Sequence, residues 1–256
     1  MTDFNNKTVI ITGGARGIGL AAAKLFAKKG ANILLVDLNE GDLKTAIESI
    51  KSDNAVSYFV ADVSQEEQVK AYVDIALERY GAIDCFLNNA GIEGVVAPIV
   101  DSPIETFDKV MAVNVRGVWL GLKYMIPAML KNGGGSIVIT SSVAGIKGTP
   151  GISPYVTSKH AVIGMMRSVS QEYATQGIRI NTVNPAPIET RMMRSLESGA
   201  APGQEDVAKE QFNKMMPMGR YGEPEEVASL MAFLCSDDAS YCTGGVYTVD
   251  GGASSI

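Results

Sequence analysis

A single histidine and three scattered cysteines are all that this 256-residue chain holds of the side chains that most often bind transition metals. His160, Cys85, Cys235 and Cys242 form no C-x-x-C or H-x-x-x-H pair. No metal site is expected, and Ser-His-Asp or Cys-His chemistry is excluded away from His160. An odd cysteine count fits free thiols in a reducing compartment, with Cys85 inside the apolar run Ile83 to Leu87 reading as core. Basic residues are scarce too. The 22 Lys and Arg against 28 Asp and Glu leave a net charge of −6, which speaks against nucleic acid or an anionic membrane as partner. No apolar run reaches the ~18 residues that span a bilayer, since the longest is broken by Arg116 and Lys123. Met1 to Thr8 also lack the basic-then-apolar order of a secretory signal. A cytoplasmic protein is the expectation.

What the chain does hold is core. Its residues are 46% hydrophobic and 20% charged, a balance that excludes a mainly disordered chain. Short β-branched runs alternate with longer helical patterns. Strands are expected at Thr8–Thr12, Asn32–Val36, Val56–Val60, Ile83–Asn88, Ser136–Thr140, Ile178–Val183 and Gly245–Val249. Helices fall near Ile18–Lys29, Gly41–Ile50, Gln65–Tyr80, Ile104–Lys131, Tyr155–Gln176 and Pro224–Cys235. The strands are continuously apolar rather than alternating, the mark of a parallel sheet covered on both faces. The reading is α/β: a single domain over 1–256 with a Rossmann-type, doubly wound, seven-stranded parallel sheet and helices on both faces. Between the sixth strand and the last helix, a Met-, Pro- and Gly-rich stretch breaks the rhythm. A long irregular insertion of this kind reads as a substrate lid, about 186–222.

The first strand runs through Thr12-Gly13-Gly14-Ala15-Arg16-Gly17-Ile18-Gly19 straight into a helix. A strand–glycine turn–helix unit offers bare backbone N–H groups and a positive helix end to a pyrophosphate. Asp37 ends the second strand, where a carboxylate can accept from both ribose hydroxyls and repels a 2′-phosphate. That favours NAD over NADP. Arg16 is the counter-signal, since a guanidinium there can pair with a phosphate. Asp37 could instead cap the next helix, although Asn39 can serve that end as well.

Tyr155 and Lys159 are spaced i, i+4 at the start of the fifth long helix, so both can point into one cleft. A cationic ammonium beside the phenol, with an oxidised nicotinamide ring, favours the phenolate and is expected to lower the Tyr155 pKa. Tyr155 could then exchange a proton with a substrate hydroxyl. Ser142 ends the fifth strand, at the sheet edge where open α/β folds bind ligands. Of Ser141 and Ser142 only one can face the cleft, because successive strand side chains point opposite ways. His160 lies about 100° round the helix from Lys159 and is expected to face away.

These residues resemble the short-chain dehydrogenase/reductase family, in its shorter subtype of about 250 residues, over nearly the whole chain. Thr12–Gly19 is similar to its cofactor turn, with Gly13, Arg16, Gly17, Ile18 and Gly19 toward the dinucleotide. Asp62-Val63 resembles its adenine-contacting pair, and Asn88-Asn89-Ala90-Gly91 its N-N-A-G. Asn114 stands where the family has a helix Asn whose backbone carbonyl holds a water in the proton relay. The resemblance implies a tetrad of Asn114, Ser142, Tyr155 and Lys159. Ser142 orients substrate, Tyr155 is acid/base, and Lys159 both lowers its pKa and binds ribose. By themselves, Asp62 could cap the helix at Ser64 and Asn114 could be a polar residue on a long helix. Pro185, Ile188 and Thr190 match the family's carboxamide-binding segment after the sixth strand, but Ala186 replaces its glycine. That turn must avoid positive φ or bear strain.

Substrate contacts are expected from Ser142, Tyr155, Ile92, Glu93, Val143, Ile152, Met192, Met193 and Leu196, a largely apolar set. Met192 and Met193 could also merely pack the lid onto the body. The expected reaction is NAD(H)-dependent interconversion of a secondary alcohol and a ketone, small or alicyclic and neutral. The lid and Arg220-Tyr221-Gly222 are similar to NAD-dependent reductases of cyclic ketones. Reduction of an acyl chain on a carrier protein, a sugar dehydrogenase, and a dinucleotide sensor without chemistry remain alternatives. Apolar residues on more than one face of Ile104–Lys131 and Tyr155–Gln176 suggest subunit packing, and the resemblance implies a homotetramer.

Overall fold

The computed structural model describes residues 3–255, so Met1, Thr2 and Ile256, the ends of the expected unit, lie outside the described residues. Among the described residues seven strands form one sheet: β1 (Thr8–Thr12), β2 (Asn32–Asp37), β3 (Val56–Val60), β4 (Cys85–Asn88), β5 (Gly135–Thr140), β6 (Ile178–Pro185) and β7 (Val246–Val249). Every neighbouring pair is parallel, in the order β3-β2-β1-β4-β5-β6-β7. The chain winds outward from β1 through β3, then returns to lay β4 on the other side of β1. That reversal opens a crevice beyond the carboxyl ends of β1 and β4, where ligands bind in folds of this kind.

The helices are α1 (Gly17–Lys28), α2 (Glu40–Ser49), α3 (Glu66–Tyr80), α4 (Ile104–Met111), α5 (Gly117–Leu130), α6 (Ser153–Tyr173), α7 (Arg191–Ala200), α8 (Glu205–Met215) and α9 (Pro224–Cys235). They cover both faces, and β1 shows why its sequence does not alternate. Val9 and Ile11 pack with Phe26 of α1, Leu43 of α2 and Met231 of α9. Ile10, between them, packs on the other side with Tyr72 of α3, Leu120 of α5 and Met166 of α6. Period-2 geometry sends neighbours to opposite faces, and both faces are dry.

Three local differences from the sequence reading bear on the site. The segment expected as one helix over Ile104–Lys131 is α4 and α5 joined by a π-turn at Ala112–Arg116, centred on Asn114. There the hydrogen-bond register shifts, with the Gly117 N–H donating to the Ala112 carbonyl, a departure that recurs at functional sites. The stretch 186–222, expected to be irregular, carries α7 and α8. Most of its Pro and Gly residues gather between and after these helices, at Pro202-Gly203 and Pro217–Gly219, and only Gly199, in the last turn of α7, falls within one. Ala186 avoids positive φ, which among non-glycine residues described occurs only at Asn6. Its N–H donates to the Val249 carbonyl at 3.1 Å, so the turn is built without strain there.

Phe86, fully buried on β4 in the middle of the sheet, should be a pillar of stability. Phe86→Ala is expected to cost about 3–5 kcal/mol in urea unfolding. Ile99→Ala, at a side chain 74% exposed, should stay within about 0.5 kcal/mol of the parent.

Candidate active site

The turn from β1 into α1 is a cradle rather than a packed corner. Gly13 and Gly17 adopt positive φ of 63° and 51°. A Cβ on Gly13 would stand 3.0 Å from the Ala90 Cα, and one on Gly19 would overlap the Gly13 carbonyl oxygen. No side chain caps α1, and its first turn holds no acidic residue. Its leading N–H groups are therefore left for an anion, as a dinucleotide pyrophosphate requires. Arg16 is the exposed N-cap residue, and Ile18 is half-buried on the first turn. Thr190 reaches the same place from the far end of the chain: a Cβ on Gly17 would lie 3.2 Å from its Cγ2. The Thr190 hydroxyl donates to the carbonyl of buried Ile188 at 3.1 Å.

Asp37 lies at the end of β2 beside this cradle. Its carboxylate accepts from the Ala15 N–H at 3.2 Å and from the Leu38 N–H at 2.8 Å. Capping of α2 falls to Asn39, which accepts from the Asp42 N–H, so Asp37 is not spent on a helix end. Arg16 is turned aside: its guanidinium pairs with Asp42 at 2.5 Å, and that carboxylate holds its pKa above the ordinary value. Asp62 accepts from the Ser64 N–H and hydroxyl, shaping the turn after β3. Val63 beside it is buried against Gly117 of α5.

The loops after β1, β4 and β5 are joined by side chains. The Thr12 hydroxyl accepts from the Asn89 and Ala90 N–H groups at 3.0 and 3.1 Å. The Asn89 amide donates to the Thr12 carbonyl at 3.0 Å, and its oxygen accepts from the Thr140 hydroxyl at 2.9 Å. The Thr140 carbonyl then accepts from Lys159 Nζ at 2.8 Å. Thr140 was not among the residues expected from sequence, and Thr12 entered only as the first residue of the cofactor turn. As a buried strand-end threonine, Thr140 gave no spacing signal of its own.

Tyr155 and Lys159 both sit in the first two turns of α6, buried, with the ammonium 5.4 Å from the phenol ring centroid. Ser142 also faces the cleft. Its hydroxyl is within hydrogen-bonding reach of the Tyr155 phenol and donates to the Pro185 carbonyl at 3.3 Å. Ser141 turns the other way and donates to the Lys159 carbonyl. Asn114 braces the loop after β4: its amide donates to the Ile92 carbonyl and the Ser158 hydroxyl, and its oxygen accepts from the Ile92 N–H. A Cβ on Gly91 would lie 3.3 Å from Asn114 Oδ1 and 3.4 Å from Lys159 Nζ, so glycine there keeps the floor of the cleft open. His160 is exposed, its Nδ1 against the Val156 carbonyl, facing away as its helix position requires.

Burial pushes the Tyr155 phenol up to about 12, with the Ser142 hydroxyl pulling it back and Glu93 adding to the rise. Burial likewise pulls Lys159 down to about 8. Desolvation disfavours both charged forms in the chain alone.

Beside the phenol, Tyr155, Ala144 and Ile152 form a small apolar cluster onto which Val96, Val156, Met192 and Leu196 pack. Ile152, Met192 and Leu196 belong to the expected set. Val143 is buried in the turn after Ser142, and Glu93 is half-buried with its charge felt at Tyr155. Met193 is buried but outside this cluster, consistent with packing the lid to the body. Val96, Ala144 and Val156 were missed: Val96 lies in a loop without periodicity, and the other two adjoin residues that drew the eye by chemistry.

The family model described as Enoyl-(Acyl carrier protein) reductase matches residues 13–254. Levodione reductase of Leifsonia aquatica is 43% identical, covering 99% of this chain and 96% of its own. Cyclohexanol dehydrogenase of Acinetobacter sp. (strain SE19) is 40% identical, covering 97% and 95%. Among solved structures, levodione reductase superposes with a TM-score of 0.96 over 99% of both chains. NAD+-bound xylitol dehydrogenase, 34% identical, does so with 0.92 over 97% of this chain and 99% of that one. The glycine cradle, the buried Tyr155–Lys159 pair and these matches along nearly the whole chain agree on one lineage: the chain belongs to the short-chain dehydrogenase/reductase family.

Proposed function

We propose that this chain, as one NAD-binding unit over 1–256 with its lid at 186–222, interconverts a secondary alcohol and a ketone. The observation that carries the reading is Tyr155, buried 5.4 Å from the Lys159 ammonium and within reach of the Ser142 hydroxyl, at the carboxyl edge of β5. NAD bound along the cradle supplies the hydride acceptor and a positive charge beside the phenol. Its pyrophosphate would lie on Gly13, Arg16, Gly17, Ile18 and Gly19, and its ribose on Asp37 and Lys159. The adenine would meet Asp62 and Val63, the middle of the cofactor Asn89, Ala90 and Gly91, and the carboxamide Pro185, Ile188 and Thr190. Ser142 Oγ and Tyr155 Oη hold the substrate oxygen, and Tyr155 moves the proton. Asn114 fixes the loop that floors the cleft and is assigned to the proton relay.

Substrate chemistry follows from the walls. Ile152, Val143, Met192 and the neighbouring Val96 and Leu196 offer apolar surface, which suits a small or alicyclic neutral ring. Glu93 and Met193 are the remaining contacts assigned to substrate. Two relatives carry names of that class, levodione reductase and cyclohexanol dehydrogenase. The family model's description favours a second reading, an acyl chain on a carrier protein. The net charge of −6 opposes it, because an acidic carrier needs a basic landing surface.

Assembly as a homotetramer in the cytoplasm completes the proposal. Trp119, 50% exposed, lies with Met111, Val115 and Met165 in an apolar groove across the α4–α5 helix and α6, flanked by Asp108 and Arg116. One anion and one cation beside an apolar stripe suit a self-complementary contact. Among the described residues no helix is long and apolar enough to cross a membrane.

Four measurements test these assignments. Tyr155→Phe should lower kcat for cyclohexanol oxidation by about 10²–10⁴-fold while NADH binding, read by fluorescence, stays at the parent value; equal, near-zero rates in parent and variant with intact NADH binding would mark a sensor. Alcohol oxidation needs the Tyr155–Lys159 pair one proton short, and Lys159 sits at about 8. The value of kcat/KM should therefore climb about tenfold per pH unit and level off above about 8, with ketone reduction showing the opposite sign; a flat profile from pH 6 to 9 sinks the assignment. Asp37→Ser should weaken NADH and improve NADPH binding, each by about tenfold, the scale of one charged contact. For assembly, Trp119→Lys should shift sedimentation from tetramer toward smaller species, and a parent protein monomeric at micromolar concentration refutes the tetramer.

A further inference from the structure

The lid carries a buried carboxylate that the reaction does not use. Glu197 on α7 is fully buried, a position acids occupy only when paired. Its Oε1 accepts from the Tyr221 hydroxyl at 2.8 Å, and its Oε2 faces Arg194 Nη1 at 3.0 Å as an ion pair. Tyr221 is 3% exposed and lies outside the lid helices, on the segment leading into α9. Burial and the neighbouring Glu197 carboxylate hold its phenol well above the ordinary value, so it remains a donor.

Around this contact the two ends of the lid meet. The Glu189 N–H donates to the Gly222 carbonyl at 2.9 Å, and the Gly222 N–H to the Pro187 carbonyl at 3.0 Å. Arg194 binds Glu189 at 2.9 Å, and Lys209 of α8 pairs with the same carboxylate. Both cations stand over the Tyr221 ring, at 5.7 and 5.5 Å from its centroid. Tyr221 is thus the post to which α7 and α8 are both tied. Glu197 follows Leu196 directly in α7, and Leu196 and Met192 form the lid's side of the wall beside Tyr155. Moving Glu197 moves that wall.

We propose that Glu197 is a positioning residue: its hydrogen bond to Tyr221 latches the lid and sets the depth of the pocket that Met192 and Leu196 close over the substrate. It acts on substrates large enough to touch those side chains, and leaves proton transfer at Tyr155 alone. The latch rests on the cleft being the ketone site proposed above.

Tyr221→Phe and Glu197→Leu each remove the bond, whereas Glu197→Gln keeps an acceptor for the Tyr221 hydroxyl. Both deletions should raise KM for cyclohexanone about 10-fold, the scale of a lost hydrogen bond to a charged group. KM for acetone, too small to reach the lid, should stay within about twofold, kcat for both ketones within about threefold, and Glu197→Gln should remain close to the parent throughout. Trypsin should cut the deletion variants between 191 and 214 several times faster than the parent or Glu197→Gln. Parent KM with parent cleavage rates overturns the latch, as does an equal KM rise for both ketones or a fall in kcat alone. If the parent turns over neither ketone, the reading of the cleft fails, and the cleavage rates alone decide the latch.

Discussion

The site hangs on one run of hydrogen bonds: Thr12 to Asn89, Asn89 to Thr140, Thr140 to Lys159. Each link joins the carboxyl edge of one strand to the next, from β1 through β4 to β5 and on to α6. The glycine turn after β1 and the ammonium that sits by the phenol are therefore not independent. Thr12 is fully buried and Thr140 nearly so, so neither end of the run can trade its partner for water without an unpaired polar group in the core. The parallel register places these residues level with one another: Ile11 lies opposite Leu87, and Asn88 opposite Ile139. A slip of one residue in any pair would turn the participating side chains to the other face and break the run.

Burial then sets the chemistry. A phenol and an ammonium in water would differ little from free side chains. Enclosed together, both are pushed toward neutrality, the phenol up and the amine down. This poise has a use. A group that resists ionising in the closed cleft responds strongly to any charge brought in, because the low dielectric that penalises an isolated charge also magnifies its attraction to an opposite one. The lowering of the Tyr155 pKa expected from its lysine neighbour thus belongs to the loaded site. Lys159 Nζ, held by the Thr140 carbonyl, is positioned for that moment instead of driving it alone.

Much of this was legible in the sequence because it rests on local rules. Continuous apolar runs such as Val9-Ile10-Ile11 announce a sheet covered twice, and Gly13, Gly17 and Gly19 announce a backbone that something must approach. Tyr155 and Lys159 share a helix face by spacing, and strand alternation required Ser141 and Ser142 to point apart, as their hydroxyls do. What stayed hidden depends on distant segments meeting. Thr12 and Thr140 are ordinary strand residues until Asn89 stands between them. Val96 and Val156 become walls only because α7 closes over them. The π-turn at Asn114 leaves no trace in composition, and the helices of the lid were masked by the Pro and Gly that separate them.

The lid also shows how the family frame leaves room for choice. Ala186 stands where glycine is usual, yet the turn avoids positive φ and ties back to Val249 on β7. That turn is therefore tied to the sheet by its backbone. Beyond it the chain leaves the main sheet: a single backbone bridge joins Ile188 to Gly222, and between them side chains add the ties, through Glu189, Arg194, Glu197, Lys209 and Tyr221. Backbone ladders fix the strand ends from which the glycine turn and Ser142 project. Side-chain ties fix where the substrate wall stands, because a wall made of exchangeable contacts can be moved by substitution without disturbing the sheet. A charged cage around one buried tyrosine is stiff enough to hold Met192 and Leu196 in place. It is also local enough that its loss should leave the Thr12-to-Lys159 run untouched.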